Sequence, residues 1–383
     1  MDVVGVDVGF GYTKAFNGEK SVVFKSVLGD ATQIQFRSSL GPDQSGSNLH
    51  VTLDGKSYFI GSYAERQSNA REFTLNQDTL ITDFVKVLAI TAIGVCCEKS
   101  TSLNVVSGLP VGFLTRDYKR FADLITGRHE IIFHNEDKND VTRRIHINKV
   151  HMIPQPVGSI FNLLMDDSGK INNRDLSHQK IGVVDIGFKT TDFSIFDRLQ
   201  YIERSSTTLD TGISKCFSVI ANKLRQESGV NIELFRMFDF MESGTIKIRG
   251  REYNLANLKK RVYTHAATAI AADVNRLWED DWDIDSIILS GGGGMELAPY
   301  IQPHLQGNVI PIANGVDARL NNVQGYLKFG RYKWRHLPSP ESVEQNEATS
   351  ETREETETGD GQDTSEKNSR GAKGLGWLKG NRT

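Results

Sequence analysis

Short apolar runs that end in an acid and a glycine turn recur along this chain. Val3-Val4-Gly5-Val6 leads into Asp7, and Ile181-Gly182-Val183-Val184 leads into Asp185. Each reads as a buried strand closing on a tight turn. A third run, Ile287-Ile288-Leu289-Ser290, opens onto Gly291-Gly292-Gly293-Gly294 and a helix onset at Met295-Glu296-Leu297. Around the first unit the pattern predicts strands over 3–7, 13–16, 21–25 and 49–60, the last with a turn at Asp54-Gly55. A helix over 82–97 follows, with Asp83 in its first turn. Then come a strand over 103–109, a helix over 116–125 and strands over 130–133 and 144–153. Pro154-Gln155-Pro156 opens a helix over 157–165.

The polar stretch 166–179 marks the crossing into a second lobe, where the theme repeats. Strands over 181–185, 191–196 and 200–206 precede Asp210-Thr211-Gly212 and a helix over 213–227. That helix carries Ile213, Phe217, Ile220, Ala221 and Leu224 on one face. A long helix from about 257 to 278 comes next, and the segment from Asn314 to Arg319 leads into a last helix through Leu327.

With 383 residues the chain is long enough for two substantial cores. The net charge of -3 offers no basic field for direct nucleic-acid binding. The longest apolar stretch, 85–97, is short and interrupted by Lys86, so no bilayer span is expected. The first residues enter a strand at once, without a secretory pattern. Cys96, Cys97 and Cys216 form no disulfide framework or metal motif and read as small buried hydrophobes. A cytoplasmic protein is expected. Beyond Pro338 the composition turns to Glu, Asp, Thr, Ser and Gln, which predicts disorder. The sign then reverses at Lys367, Arg370, Lys373, Lys379 and Arg382, around Leu375-Gly376-Trp377-Leu378. This end is either a solvated tail or a tethered peptide for a partner or an anionic membrane surface.

The turns carry the candidate chemistry. Asp7 to Lys14 holds Gly9, Gly11, Tyr12 and Thr13, and Asp185 to Asp192 holds Gly187, Lys189, Thr190 and Thr191. Such turns bring backbone N–H groups to phosphate oxygens, and an acid at a strand end can hold hydrated Mg²⁺. A single glycine turn is ordinary loop geometry; two such units suggest two related lobes around one polyphosphate. Four successive glycines are entropically costly and are explained if something flat, such as an adenosine, approaches the backbone.

This order of parts resembles the actin/Hsp70/sugar-kinase superfamily from Asp7 to about Gly330, and most of all bacterial actin-like proteins of the ParM/StbA plasmid-segregation type. Asp7-Val-Gly-Phe-Gly-Tyr-Thr-Lys14 is similar to the first phosphate motif, and Val184 to Asp192 to the second. Leu289 to Gly294 is similar to the adenosine motif. Ile153 to Ser159 and Asn314 to Gly325 fall where the connecting helices belong. The resemblance implies an α/β, two-lobed actin-like (duplicated RNase H-like) ATPase fold with a disordered C-terminal tail. It divides the chain into lobe I over 1–165, lobe II over 166–320, a return helix over 321–337 and the tail over 338–383.

By position, the resemblance implies that Lys14 meets the β- and γ-phosphates, with Gly9, Gly11, Tyr12, Thr13, Gly187, Lys189 and Thr190 around them. Asp7 and Asp185 would hold Mg²⁺ mainly through its waters. Gly212, Lys215 and Gly291 to Gly294 fall at the nucleoside, leaving ATP or GTP open. Gln155 would orient the attacking water, or else simply starts its helix; an amide positions rather than deprotonates. Asp192 could equally cap its turn, and Lys189 could touch phosphate or point outward.

The implied function is a slow, assembly-stimulated ATPase that polymerises into filaments for plasmid segregation, reaching DNA through a bound adaptor protein. The alternatives are a small-molecule kinase on the same fold, for which Asp83 and Asp210 are the unassigned acids, and a membrane-adaptor actin homologue using the Trp377 segment. An Hsp70-like chaperone would need a folded domain where the polar tail stands.

Overall fold

A computed structural model describes residues 2–31, 48–99, 102–135, 139–310 and 317–335. The tail after Pro338, with Trp377, and the stretch 314–316 lie outside the described residues. The first sheet has ten strands: β1 Asp2–Val8, β2 Tyr12–Phe16, β3 Ser21–Lys25, β4 Leu28–Asp30, β5 His50–Leu53, β6 Lys56–Ile60, β7 Arg71–Glu72, β8 Ser102–Leu109, β9 Gly127–Phe133 and β10 Val141–Pro154. The second has five: β11 Lys180–Ile186, β12 Thr191–Asp197, β13 Gln200–Leu209, β16 Ser286–Ser290 and β17 Asn308–Ile310. A separate hairpin joins β14 Thr245–Ile248 to β15 Arg251–Asn254. The helices are α1 Ser62–Gln67, α2 Gln77–Leu80, α3 Asp83–Cys96, α4 Val111–Ile125, α5 Val157–Leu164, α6 Arg174–His178, α7 Ser214–Ser228, α8 Met237–Ser243, α9 Ala256–Leu277, α10 Gly292–Ile301 and α11 Asn321–Trp334.

The two sheets share one core topology. In the first, β3-β2-β1-β8-β10 run antiparallel, antiparallel, parallel, parallel. In the second, β13-β12-β11-β16-β17 repeat that order and sense. This is the duplicated, two-lobed architecture expected from the paired motifs. The central strands read as continuous apolar runs because helices cover both faces: β11 is buried from Ile181 to Ile186. The first core packs Val4, Val6, Val105 and Ile147 against α3; the second packs Val184, Phe193 and Leu289 against α7 and α9.

The lobes meet where α5 and α11 cross. There Gly158 and Gly325 touch backbone to backbone: a Cβ on Gly325 would lie 1.8 Å from the Gly158 carbonyl oxygen. Asn321 Nδ2 donates to Ser159 Oγ at 2.9 Å, and Asn162 Nδ2 donates to Asn321 Oδ1 at 2.7 Å, pinning the crossing. Helix α11 also packs across β1 and β8.

Most elements fall within a few residues of expectation, with three instructive departures. Helix α4 begins at Val111 rather than 116, because its first N–H groups are capped from the other lobe: Val111 N–H donates to Asp192 Oδ1 at 2.9 Å and Gly112 N–H to Thr208 Oγ1 at 2.8 Å. The polar stretch 166–179 contains α6, capped by Asn173. The segment after the α7 helix holds a short helical turn, Leu234–Arg236, then α8 and the β14–β15 hairpin, none of which the hydrophobic pattern distinguished.

Candidate functional site

A cleft of about 430 Å³ opens between the lobes, within the usual size for a nucleotide-like ligand. Asp7 and Asp185 stand at equivalent strand ends, 2% and 3% exposed, and both line it. The turns after them are built alike: Gly9 N–H donates to Tyr12 O at 3.1 Å and Gly187 N–H to Thr190 O at 2.8 Å. Across each hairpin the acid faces a different partner. Asp7 faces Lys14, whose Nζ lies 2.8 Å from Asp7 Oδ2, and Asp185 faces Asp192.

The remaining groups around the acids come from the turn before α5 and from α11. Gln155 Nε2 lies 3.4 Å from both Asp7 carboxylate oxygens, and its own N–H is held by Leu109 O at 2.8 Å. Asn322 Nδ2 donates to Asp185 Oδ2 at 2.9 Å. Burial, only partly offset by Asn322 and reinforced by Asp7, pushes Asp185 up to about 6. Burial also raises Asp192 to about 7, against the Thr208 hydroxyl that favours its charge and with Asp185 adding repulsion.

The cleft brings most of the expected residues together. Gly9, Gly11, Tyr12, Lys14, Gln155, Gly187, Lys189, Thr190, Gly291, Gly292 and Gly293 line it with the two acids. Lys189 reaches across towards the first turn, its Nζ 5.7 Å from the Phe10 ring centroid and 3.7 Å from Asp210 Oδ2. Others stand behind the wall. Thr13 is buried, its Oγ1 3.0 Å from Ser26 Oγ, so it braces the turn. Gly212 is buried beneath the second turn, its N–H on Lys189 O at 2.8 Å, and Lys215 is exposed on α7; neither lines the cleft. Gly294 is buried behind the glycine run.

Part of that run also meets the protein itself closely. Gly291 has φ 81°, and a Cβ there would fall 2.3 Å from Ile186 O and 2.4 Å from Asp185 Oδ1. The close approach is therefore made by the neighbouring strand of the protein itself. Gly292, which also lines the cleft, has only Arg319 Cγ near the place of a Cβ.

Several cleft residues escaped the sequence reading. Arg319 is gripped by Asp317, Nη2 to Oδ2 at 2.8 Å, and lays its guanidinium 4.9 Å from the Tyr12 ring centroid. Ile213, Phe217, Phe238, Met241, Tyr263 and Met295 give the far end of the cleft an apolar wall. Phe217 was visible only as a core position, and Phe238 and Met241 belong to the unassigned α8 segment.

That same segment straps the second lobe to the first beside the cleft. Phe235, 4% exposed, is buried among Val27, Ala31, Phe59 and Ala64 of the first lobe. Lys25 Nζ is 2.9 Å from both Glu65 Oε1 and Asp239 Oδ2, and Arg71 Nη2 is 3.3 Å from Glu233 Oε2. Tyr12 and Phe188 pack tilted against Phe238 with centroids 4.6 and 4.7 Å away.

With this geometry in view, comparisons with known proteins are specific. Residues 5–158 match the model of the actin-like protein N-terminal domain, and residues 183–303 that of the archaeal actin homologue MreB-like C-terminal domain. No curated protein matches the sequence. Among solved structures, a 15-stranded ParM filament from Clostridium botulinum matches at TM-score 0.74 and 24% identity, over 86% of this chain and 99% of that one. A non-polymerisable quadruple mutant of a ParM matches at TM-score 0.71 and 24% identity, with the same coverage. An archaeal actin homologue in complex with ADP matches at TM-score 0.70 and 20% identity, over 87% of this chain and 100% of that one. At these identities the structures establish the fold, while the two domain models, one for each lobe and in the right order, establish the family: the chain belongs to the actin-like proteins.

Proposed function

We propose that this protein binds a Mg²⁺–nucleoside triphosphate between its lobes, hydrolyses it slowly and assembles into filaments. The observation that carries the reading is the pair of buried carboxylates, Asp7 and Asp185, opening onto one cleft with Lys14 between them and the triphosphate space. Two acids 2% and 3% exposed are costly unless a cation shares the site. Lys14 pairs directly with Asp7, whereas Asp185 makes no ion pair among the described residues and is held by the neutral amide of Asn322. The donor set therefore fits Mg²⁺, which favours carboxylates, phosphate oxygens and its own waters. Bound there, the ion would neutralise charge developing on the phosphates.

The chain's own groups have defined tasks in this reading. Lys14 pairs with phosphate oxygens as a point charge, and the N–H groups of the two twin turns cradle the chain of phosphates. Gln155, held between Leu109 O and Asp7, orients a water and excludes others. The wall of Phe217, Phe238, Met241 and Met295 takes the purine, with ATP the default and GTP an alternative base. Phosphoryl transfer then rests on alignment and charge, which suits a slow enzyme stimulated by assembly.

The filament reading is supported by the ParM filament neighbour, whose fold this chain shares. Plasmid segregation through a DNA-bound adaptor belongs to the same reading, since a net charge of -3 gives no field for direct DNA contact. No helix among the described residues is long and apolar enough to cross a membrane. Pelleting with Mg²⁺ and ATP, ADP or a non-hydrolysable analogue tests the reading; a protein that binds ATP, stays in the supernatant and phosphorylates a metabolite would support a kinase instead.

A further inference from the structure

Helix α9 carries opposite charge at its two ends. At its N-terminal end, the β14–β15 hairpin and the first turns expose Lys247, Arg249, Arg251, Lys260 and Arg261, against one acid of the hairpin, Glu252. Lys259 is engaged by Glu296 at 3.0 Å, but Lys247, Arg249, Lys260 and Arg261 make no ion pair among the described residues. Beyond its C-terminal end, the loop 278–285 exposes Glu279, Asp280, Asp283 and Asp285 around Trp282, which is 88% exposed. Lys180 and Arg204 neutralise Asp281 and Asp283, whereas Glu279 and Asp280 have no ion-pair partner among the described residues.

Nothing among the described residues explains this arrangement. Cations at a helix N-terminus and anions at its C-terminus both oppose the helix dipole. Arg249 adopts φ 48° in the hairpin turn, where Asn or Gly would be less strained. An indole at 88% exposure gains nothing from the chain's own core. The two patches terminate a helix of 22 residues, so they lie roughly 33 Å apart and face opposite ways.

We propose that the acid-ringed Trp282 loop of one copy docks on the basic β14–β15 hairpin of the next. Complementary patches at opposite ends of one body make a heterologous contact, which repeats without closing and generates a filament. Trp282 supplies the anchor, its ring a face for an arginine guanidinium, and the unpaired charges set the direction. The proposal rests on the filament reading above and names the surfaces that build it.

Two variants, Trp282→Ala and the double reversal Arg249→Glu with Arg251→Glu, test it. Each removes one end of the contact and leaves the cleft intact, so binding of a fluorescent ATP analogue and the melting temperature serve as controls. Each variant alone is expected to raise the critical concentration for ATP-dependent pelleting by about 30-fold or more. Mixed in equal amounts they retain one good interface between them, so sedimentation velocity should show a heterodimer that grows no further. Wild-type filaments unaffected by either variant would overturn this contact alone. A wild-type protein that binds ATP yet never pellets would overturn the filament reading and the contact with it.

Discussion

The ammonium of Lys14 lies 2.8 Å from the carboxylate of Asp7, its direct neighbour across the first hairpin. The corresponding place in the second hairpin is taken by an acid, Asp192, opposite Asp185. One duplicated unit thus yields two unlike halves: one presents a cation to the cleft, the other a pair of carboxylates whose repulsion a proton or a further positive charge relieves.

Lys14 should therefore dominate phosphate affinity. Lys14→Met removes a charge-assisted contact, so the nucleotide Kd is expected to rise about 30-fold, near 2 kcal/mol. Calorimetric titration measures this, and an unchanged Kd would remove Lys14 from the phosphate site.

Asp192 makes stability depend on pH. Its folded pKa is raised to about 7 from the ordinary 3.8, so between those values the folded state binds more protons than the unfolded one. Stability of the nucleotide-free protein should thus fall as pH rises from about 4 to 7 at this site. Asp192→Asn keeps an oxygen for the Val111 N–H and the Thr208 hydroxyl and should flatten that component. His151 acts with the opposite sign: burial lowers it to about 4, so its contribution is lost as pH falls below its usual value of 6.5. Urea unfolding at several pH values in the two single variants, Asp192→Asn and His151→Gln, separates them.

The crossing of α5 and α11 leaves no room for a side chain. Gly325→Ala would force a methyl into the Gly158 carbonyl and should cost about 1–3 kcal/mol through backbone displacement. Because the same crossing joins the lobes, nucleotide affinity should fall together with stability. A variant of full stability and full affinity would show that the helices separate freely.

Phe235 is the anchor of the strap beside the cleft. Phe235→Ala removes a buried ring, with an expected loss of about 3 kcal/mol, and should speed release of bound nucleotide by loosening the closed state. Stopped-flow chase of a fluorescent nucleotide reads the rate; release at the wild-type rate would show that the strap does not gate exchange.

What the sequence made legible was local: strands that end in Asp7 and Asp185, glycine turns after them, and α7 with its helical period. Contacts between distant segments were invisible to it. The true start of α4 depends on Asp192 and Thr208, roughly eighty residues away or more. Gly291 is also required by the close approach of Ile186 on a neighbouring strand. Segment 234–254 carries Phe235, Phe238 and Met241, but its short helix and hairpin lack a period long enough to read, so the strap and much of the apolar wall went unassigned.

The central claim is that Asp7 and Asp185 jointly hold a metal-bound triphosphate. Calorimetric titration of ATP into the wild-type protein and Asp185→Asn, each with Mg²⁺ and with EDTA, tests it most directly. The account predicts tight wild-type binding that weakens sharply without Mg²⁺, and a variant whose weak binding no longer depends on the metal. A variant that keeps the full Mg²⁺-dependent affinity, or a wild-type protein indifferent to the metal, would contradict it.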